Sequence, residues 1–338
     1  MTALGIWLAG LRRVLRAPSL VLLLWSLTLA ITVPPALALH DSIASHLGAS
    51  LEADTAASGM NYEWMQEFRA QASMFGRSLR PDVIGFAAVV DNASAFADMV
   101  QRPLVVVVGS VVFVTLLWLL TPGILCRLAA GRRIGAGIFA GACGAFAGRI
   151  VRLNIVSMMF YGTLVGTFHQ WLFDDVFDAL TRETTVERTA FAVRVLCYLL
   201  FFALLALCNL VFDIAKVRLV VEDRRSVLAT IIAALDFTLS NVRLVFGAYG
   251  ANLATLGVVV GAYAAVAPGV GGAGAGMWAT FVVGQLYVAA RLFVKLAFWA
   301  SGISALQARL AYDGFVRTLP DPAPSFNDTR RWSTNSVD

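Results

Sequence analysis

Long apolar stretches without a charged side chain divide the sequence. They cover residues 17–39, 103–126, 153–173, 195–212 and 244–290. A bilayer core about 30 Å thick is crossed by roughly 20 helical residues, so each of the first four stretches fits one span. The fifth is about twice as long as one span needs, and the turn-forming sequence PGVGGAGAG interrupts it at 268–276. The pattern predicts an all-α polytopic membrane fold with six transmembrane helices, at about residues 18–39, 103–126, 153–173, 193–214, 244–267 and 277–299.

Amphipathic stretches precede several of these spans. Apolar side chains recur at helical spacing in residues 134–150 and 228–239, which is typical of helices that lie on an anionic membrane surface. The sequences FAGRIVRL (146–153) and FTLSNVRL (237–244) match at four of eight positions, and the N-terminal IWLAGLRRVLRAP is similar but shorter. We therefore expect three repeated units, each with an amphipathic inner helix, a span out and a span back. Equivalent basic residues are predicted at the ends of the returning spans: Arg127, Lys216 and Arg291.

Composition and charge indicate the same class of protein. Hydrophobic residues make up 59% of the 338 residues and charged residues 14%, against about 45–50% and about 25% in soluble domains. Residues 40–102 hold eight acids and four arginines, residues 174–194 hold five acids and three arginines, and the opposite side holds the remaining 19 basic and eight acidic residues. Because basic segments stay in the cytoplasm, both termini are predicted to be cytoplasmic. The alanine-rich composition favours the bacterial inner membrane, and the positive net charge reflects topology, so no nucleic-acid partner is expected.

One membrane domain is predicted over residues 1–311, in contact with membrane lipids. An external insertion at residues 40–102 follows the first span, and it contains helical patterns at 42–53 and 61–72. It either offers a surface to a protein partner or only covers the ends of the spans. Residues 312–338 are polar and rich in Pro, Asp and Ser, which predicts a disordered cytoplasmic tail.

Ionisable side chains inside the spans are the main functional candidates, because charge is costly in a bilayer. Asp213 and Lys216 share a face of the fourth span, and Arg291 and Lys295 share a face of the sixth. If these spans pack together, Asp213 can form an ion pair with Arg291. The alternative is purely structural, since bases favour helix C-termini and their long side chains reach the interface. Three basic residues are interpreted as topology anchors: Arg127, Arg152 and Arg243.

Patterns for catalysis or cofactor binding are absent from the sequence. No metal-binding spacing such as H-E-x-x-H occurs, and the nearest approach to a metal site is His40 and His169 with the external acid Asp174. There is no G-x-S-x-G elbow, no phosphate loop ending in G-K-[ST] and no C-x-x-C pair. No metal site and no cofactor is predicted, and the sequence favours a non-enzymatic protein.

Two sequences carry a resemblance to known proteins: FDIAKVRLVVEDRRSVLATIIAAL (212–235) and GQLYVAARLFVKLAFWAS (284–301). They resemble bacterial six-span membrane proteins of unassigned activity, which are distantly similar to the membrane domain fused to some glycerophosphodiester phosphodiesterases. The resemblance covers about residues 100–310. The catalytic domain of that family has no counterpart in this sequence, so the resemblance implies a membrane-embedded accessory or lipid-proximal role and no activity.

Three functional hypotheses remain from the sequence. The first is a non-enzymatic protein that organises or assists partners or lipids. The second is a transporter or permease subunit that uses the ionisable residues at the cytoplasmic ends of spans four and six. The third is a membrane enzyme, which requires His40 and His169 to meet the nearby aspartates. A sealed helix bundle favours the first hypothesis, and a water-filled cavity that reaches Asp213 from both sides favours the second.

Overall fold

A computed structural model describes residues 2–58, 61–72, 75–80, 85–267 and 275–310. Within these ranges the regular structure is helical and no strand occurs, which confirms the predicted all-α fold. The helices are α1 (Ala3–Leu15), α2 (Pro18–Leu47), α3 (Ala53–Ser58), α4 (Tyr62–Gln71), α5 (Ala87–Ala97), α6 (Leu104–Ala130), α7 (Ala136–Gly162), α8 (Phe177–Thr181), α9 (Glu187–Val221), α10 (Val227–Ser240), α11 (Val242–Val266) and α12 (Ala275–Leu310). Most of the predicted break at 268–276, and all of the predicted tail at 312–338, lie outside the described residues.

Six helices of the described chain are long and apolar enough to cross a membrane, as predicted. They are α2, α6, α9, α11, α12 and the continuous helix that begins with α7 and reaches Thr181 through π-helical turns and α8. The protein is therefore a multi-pass membrane protein. Helices α9 and α12 have 35 and 36 residues. Each is about 50 Å long and projects beyond the hydrocarbon core.

The helices form a closed ring of three units. The first unit contains α1, α2 and α6, the second contains α7 and α9, and the third contains α10, α11 and α12. The returning helices α6, α9 and α12 all contact one another. Each also packs against the amphipathic helix of the following unit, in the pairs α6–α7, α9–α10 and α12–α1. The last of these pairs joins the final described helix to the first, so the ring closes.

The helix ends define how the units correspond. Loops 131–135 and 222–226 both have five residues, and the helices on either side of them keep the same offset of 91 residues. This is also the offset between FAGRIVRL and FTLSNVRL. At this offset Arg127 corresponds to Arg218. The predicted equivalence of Arg127 with Lys216 therefore has to be shifted by two residues, because it aligned charged side chains instead of helix ends.

The packed core lies at one end of the ring. It combines the C-terminal parts of α6, α9 and α12 with the N-terminal parts of the helices around them. Residues 121–129 of α6 are buried in succession, and so are most residues of α9 from 210 to 221. The opposite halves of these helices expose large apolar side chains, such as Val108, Val111 and Leu199. Apolar side chains that face away from the protein suit contact with lipid.

Helices α1 and α10 carry large apolar side chains on a face that the core does not cover. The buried face of α1 contains Ile6, Gly10 and Val14, and that of α10 contains Thr230, Ala234, Phe237 and Thr238. Their exposed apolar residues are Leu4, Leu8 and Leu15 in α1 and Leu228, Ile232, Leu235 and Leu239 in α10. A free apolar face on a helix with flanking arginines suits the surface of a membrane.

The corresponding stretch of the second unit, 134–150, is not a separate helix. It forms the start of α7 and continues without interruption into the third span. The other two units contain a helix-breaking feature at this place. Pro18 begins α2, and Asn241, which has non-helical backbone angles, separates α10 from α11. At the offset of 91 residues α7 has Ile150 instead of Asn241, so nothing interrupts the helix.

The insertion at 40–102, which the sequence predicts to be external, begins as a continuation of α2, which ends at Leu47. Helix α4 packs Trp64 and Phe68 against this extension. The indole N–H of Trp64 donates a hydrogen bond to Nδ1 of His46 at 3.1 Å. Two ion pairs hold the segment around α5: Arg80–Asp91 at 3.0 Å and Arg102–Asp91 at 2.6 Å. The insertion therefore has a small core of its own.

The close contact between α1 and α12 predicts a specific effect of substitution. A Cβ added at Gly10 would lie 2.8 Å from the backbone nitrogen of Ser301. Gly10→Ala should therefore force the helices apart and lower the free energy of unfolding by about 1–3 kcal/mol. Thermal unfolding of the purified protein in detergent measures this.

Gly141→Ala is the matched control, because no described atom lies within 4 Å of a Cβ at Gly141. Alanine favours a helix over glycine by about 0.5–1 kcal/mol, so this variant should be as stable as the wild type or more stable. Equal melting temperatures for the two variants would contradict a tight α1–α12 contact.

Candidate functional site

Asp213 lies buried at the junction of α9 and α12. It belongs to the buried C-terminal half of α9, and only 5% of its surface is exposed. Both helices return toward the same end of the ring and contact each other. A carboxylate removed from water requires opposite charge or hydrogen-bond donors. The neighbours of Asp213 therefore define the site.

Two hydrogen-bond donors and a second cation surround this carboxylate. The ammonium of Lys216 lies 3.1 Å from Oδ1, and the indole N–H of Trp299 donates to the same oxygen at 3.0 Å. The ammonium of Lys295 lies 3.9 Å from Oδ2 and 5.1 Å from the centroid of the Trp299 ring. Lys295 and Trp299 are four residues apart and thus share one face of α12. The cluster contains one acid and two bases, so it carries excess positive charge.

Arg291 does not join this cluster. It lies one turn before Lys295 on α12, and its guanidinium lies 5.6 Å from the centroid of the Tyr287 ring. That ring stacks on Tyr263 with a centroid distance of 4.1 Å. The structure thus brings Asp213 to Lys295 instead of the predicted partner Arg291, because α12 sits one turn away from the predicted register.

A small cavity adjoins Asp213 between α9, α11 and α12. Its volume is ≈20 Å³, which is room for about one water molecule. Asn252 also lines it, and the Asn252 side-chain amide donates to Oγ of Ser301 at 3.0 Å. Oδ2 of Asp213 and Oδ1 of Asn252 have no hydrogen-bond partner within the described part of the chain. The cavity can therefore hold a hydrogen-bond donor of the size of a water molecule, and it is too small for a larger solute.

A chain of hydrogen bonds leads from this cavity toward the opposite end of the ring. The hydroxyl of Tyr161 donates to Oδ1 of Asn209 at 3.3 Å, and the amide of Asn209 donates to the hydroxyl of Tyr249 at 3.0 Å. Tyr249 lines both the small cavity and a crevice of ≈590 Å³. Asn209 lies one turn before Asp213 on α9. Polar groups therefore connect the crevice to the wall of the Asp213 cavity.

Ion pairs fasten the helix ends on the other side of Asp213. They are Arg149–Asp223 at 2.6 Å, Arg218–Glu222 at 2.9 Å and Arg224–Glu222. Asp223 has a φ of 51°, a left-handed backbone conformation that ends α9. The N–H of Arg224 then donates to the carbonyl of Leu219 at 3.1 Å. Through Arg149, this α9–α10 loop is held against α7 at the packed end of the ring, which we call the basic end because these arginines lie there.

The predicted topology anchors have different surroundings. Arg152 and Arg243 are exposed. Arg127 is only 7% exposed, and its Nη2 donates to the backbone carbonyl of Arg16 at 3.1 Å. Since Arg16 caps the C-terminus of α1, Arg127 stabilises the end of a neighbouring helix. Arg127 is therefore part of the packing at this end.

The residues nearest to a predicted metal site remain separate. His40 is exposed and lies 3.2 Å from Asp41. His169 is buried and stacks on Phe173 with a centroid distance of 4.5 Å, whereas Asp174 is exposed. Across the described ranges, no three His, Cys, Asp or Glu side chains are grouped so that they could hold a metal ion. His169 contributes to aromatic packing.

No protein-family model matches the chain, and no match is found among curated proteins or solved structures. Similarity to the membrane domain of glycerophosphodiester phosphodiesterases stays a prediction from the sequence. The function is therefore inferred from the geometry of the buried cluster and of the basic end.

Helical spacing identifies two neighbours that the sequence prediction omitted. Trp299 follows Lys295 by four residues, and Asn209 precedes Asp213 by four residues, so each shares a helix face with a predicted site residue. Asn209 is also a polar residue in an otherwise apolar run. Tyr249 lies on another span, and no local pattern connects it with Asp213.

The cluster predicts energetic coupling between Asp213 and Lys295. Asp213→Asn keeps the shape of the side chain but leaves two lysines without a counter-charge, so it should destabilise the protein by about 2 kcal/mol. Lys295→Met should restore part of this loss, because it removes one of the uncompensated charges. A double-mutant cycle from unfolding in detergent measures the coupling.

Arg291→Met serves as the control for this cycle, since Arg291 lies on the same helix but away from the carboxylate. Its effect should add independently to that of Asp213→Asn. Coupling to Arg291 without coupling to Lys295 would contradict the described register.

Proposed function

We propose that the protein is a non-enzymatic component of the bacterial inner membrane that assists lipids or partner proteins at the cytoplasmic leaflet. The observation that carries this proposal is the position of the packed core. It lies at the end formed by α1, by the loops after α6 and α9 and by the last turns of α12. The arginines are concentrated at the same end, which we assign to the cytoplasm together with both termini. A rigid basic end suits the anionic inner leaflet.

The free apolar faces of α1 and α10 support a lipid-proximal role. Exposed leucines lie on one side of both helices, and arginines lie within α1 and beyond both ends of α10. The leucines suit the acyl boundary of the leaflet, and the arginines suit its headgroups. The external insertion at 40–102 remains our candidate for a contact with a protein partner.

The packing around Asp213 supports a role without transport. The cavity beside it admits a molecule no larger than water. Residues 217 and 219–221 of α9 and residues 303–307 of α12 are buried beyond it, toward the basic end. A solute would therefore meet closely packed side chains between Asp213 and that end.

Cysteine labelling tests the assigned orientation. In a variant whose four cysteines are replaced by serine, Ala49→Cys introduces a thiol in the insertion and Arg133→Cys introduces one in the loop after α6. A membrane-impermeant maleimide added to cells with a permeabilised outer membrane should label the first position and leave the second unlabelled. The reverse pattern would refute the orientation, and labelling of Arg133→Cys after lysis is the control for reactivity.

A second candidate function is a transporter or permease subunit. The chain from Tyr161 through Asn209 to Tyr249 favours it, because it links an open crevice to the wall of the Asp213 cavity. Proton flux into liposomes, followed with an enclosed pH-sensitive dye, separates the two candidates. The non-transport proposal expects no flux above that of protein-free liposomes. Flux that Asn209→Leu abolishes would support the second candidate instead.

A further inference from the structure

Five arginines line a cavity at the basic end. It has a volume of ≈370 Å³ and lies between the end of α1, the end of α6 and the last turns of α12. The arginines are Arg12, Arg13, Arg16, Arg127 and Arg132. Ser304 adds a hydroxyl group, and no acidic side chain is among the residues that line the cavity. Exposed guanidinium groups around one space repel each other and attract an anion.

Two of these arginines hold the walls together. Nη1 of Arg13 donates to the carbonyl of Leu128 at 3.1 Å and to that of Ala129 at 3.4 Å, at the C-terminus of α6. Arg127 on α6 donates in return to the carbonyl of Arg16, at the C-terminus of α1. Each helix therefore supplies a cation to the other's C-terminus. Nη2 of Arg13 also donates to Oε1 of Gln307 at 2.6 Å, so α12 joins α1 and α6 at this cavity.

The other three arginines, Arg12, Arg16 and Arg132, have exposed side chains. The described chain gives none of them an ion pair. Elsewhere at the same end the arginines are matched with acids: Arg149 with Asp223, and Arg218 and Arg224 with Glu222. Within the described residues, these three cavity arginines therefore lack the internal counter-ions that the arginines beside the α9–α10 loop have.

We propose that the arginine cavity binds a phosphate group, carried either by an anionic phospholipid or by a soluble phosphate compound. Guanidinium groups bind phosphate oxygens through paired, charge-assisted hydrogen bonds, and several of them converge here. The exposed Leu15 lies between Arg12 and Arg16 in the sequence and offers apolar surface next to the charge. The lipid version rests on the proposed function, because a headgroup reaches the cavity only if the basic end faces the inner leaflet.

The test compares two triple variants of the full chain in phosphatidylcholine nanodiscs. The cavity variant carries Arg12→Gln, Arg16→Gln and Arg132→Gln, and it spares Arg13 and Arg127, which join the helices. The control variant carries Arg152→Gln, Arg225→Gln and Arg243→Gln, which removes the same charge from exposed positions outside the cavity. The single variant Arg132→Gln, which changes only a loop residue, serves if the triple cavity variant does not fold.

Two probes identify the source of the phosphate. One is phosphatidylglycerol mixed into the nanodisc, with retention of the lipid measured by native mass spectrometry. The other is inorganic phosphate added to nanodiscs of phosphatidylcholine alone, with the thermal shift as the readout. The cavity variant should bind at least one probe about tenfold more weakly than the wild type, whereas the control variant should bind it nearly as well. Loss for phosphatidylglycerol assigns a lipid headgroup, and loss for phosphate alone assigns a soluble ligand.

Equal loss in both triple variants would overturn the proposal, since it would show attraction to general positive charge without a site. No loss in either variant would overturn it as well. Failure of the proposed function is a separate result, because the cysteine labelling can refute the cytoplasmic orientation while the binding data still reveal a phosphate site.

Discussion

The three returning helices α6, α9 and α12 pack against one another at the basic end, and the other features of the fold depend on this contact. Small residues permit it: a Cβ at Gly302 on α12 would lie 3.3 Å from Cδ1 of Ile214 on α9. Because the helices meet here, Asp213 is removed from solvent and the amphipathic helices obtain a surface to pack on. Toward the opposite end, crevices of ≈510 and ≈590 Å³ lie beside the spans. The molecule is therefore closely packed at one end and has open crevices toward the other.

Basic side chains around this contact have three different kinds of partner. Inside the spans, one carboxylate serves two lysines. In the loop after α9, acids of the chain neutralise arginines directly. At the junction of α1 with α6, two arginines donate to helix carbonyls, and the exposed arginines of the cavity have no ion pair within the described residues. A protein that needed only stability at this end could have used acids in both loops. This difference is the basis on which we propose that the α1–α6 junction binds an anion.

The number of spans and the all-α class follow from the sequence, because long apolar runs form transmembrane helices whichever helices pack beside them. The repeat of the three units is also visible in the sequence, because the pair Arg-Leu recurs at 127–128, 218–219 and 309–310, near the ends of the returning helices. Contacts between helices were less accessible. The choice of Lys295 over Arg291 depends on a shift of one helical turn, and the arginine cavity unites residues more than 100 positions apart. Neither is encoded in local periodicity.

The pairing of α1 with α12 sets an order of events during biosynthesis. Gly10 emerges from the ribosome about 290 residues before Ser301, which at roughly 5–20 residues per second corresponds to about 15–60 s. Throughout that interval α1 lacks the helix that later covers its inner face. The exposed leucines of α1 allow it to lie on the membrane surface, where the bilayer provides apolar contact in the absence of α12. Helix α1 therefore has to resist aggregation during the interval before α12 is synthesised.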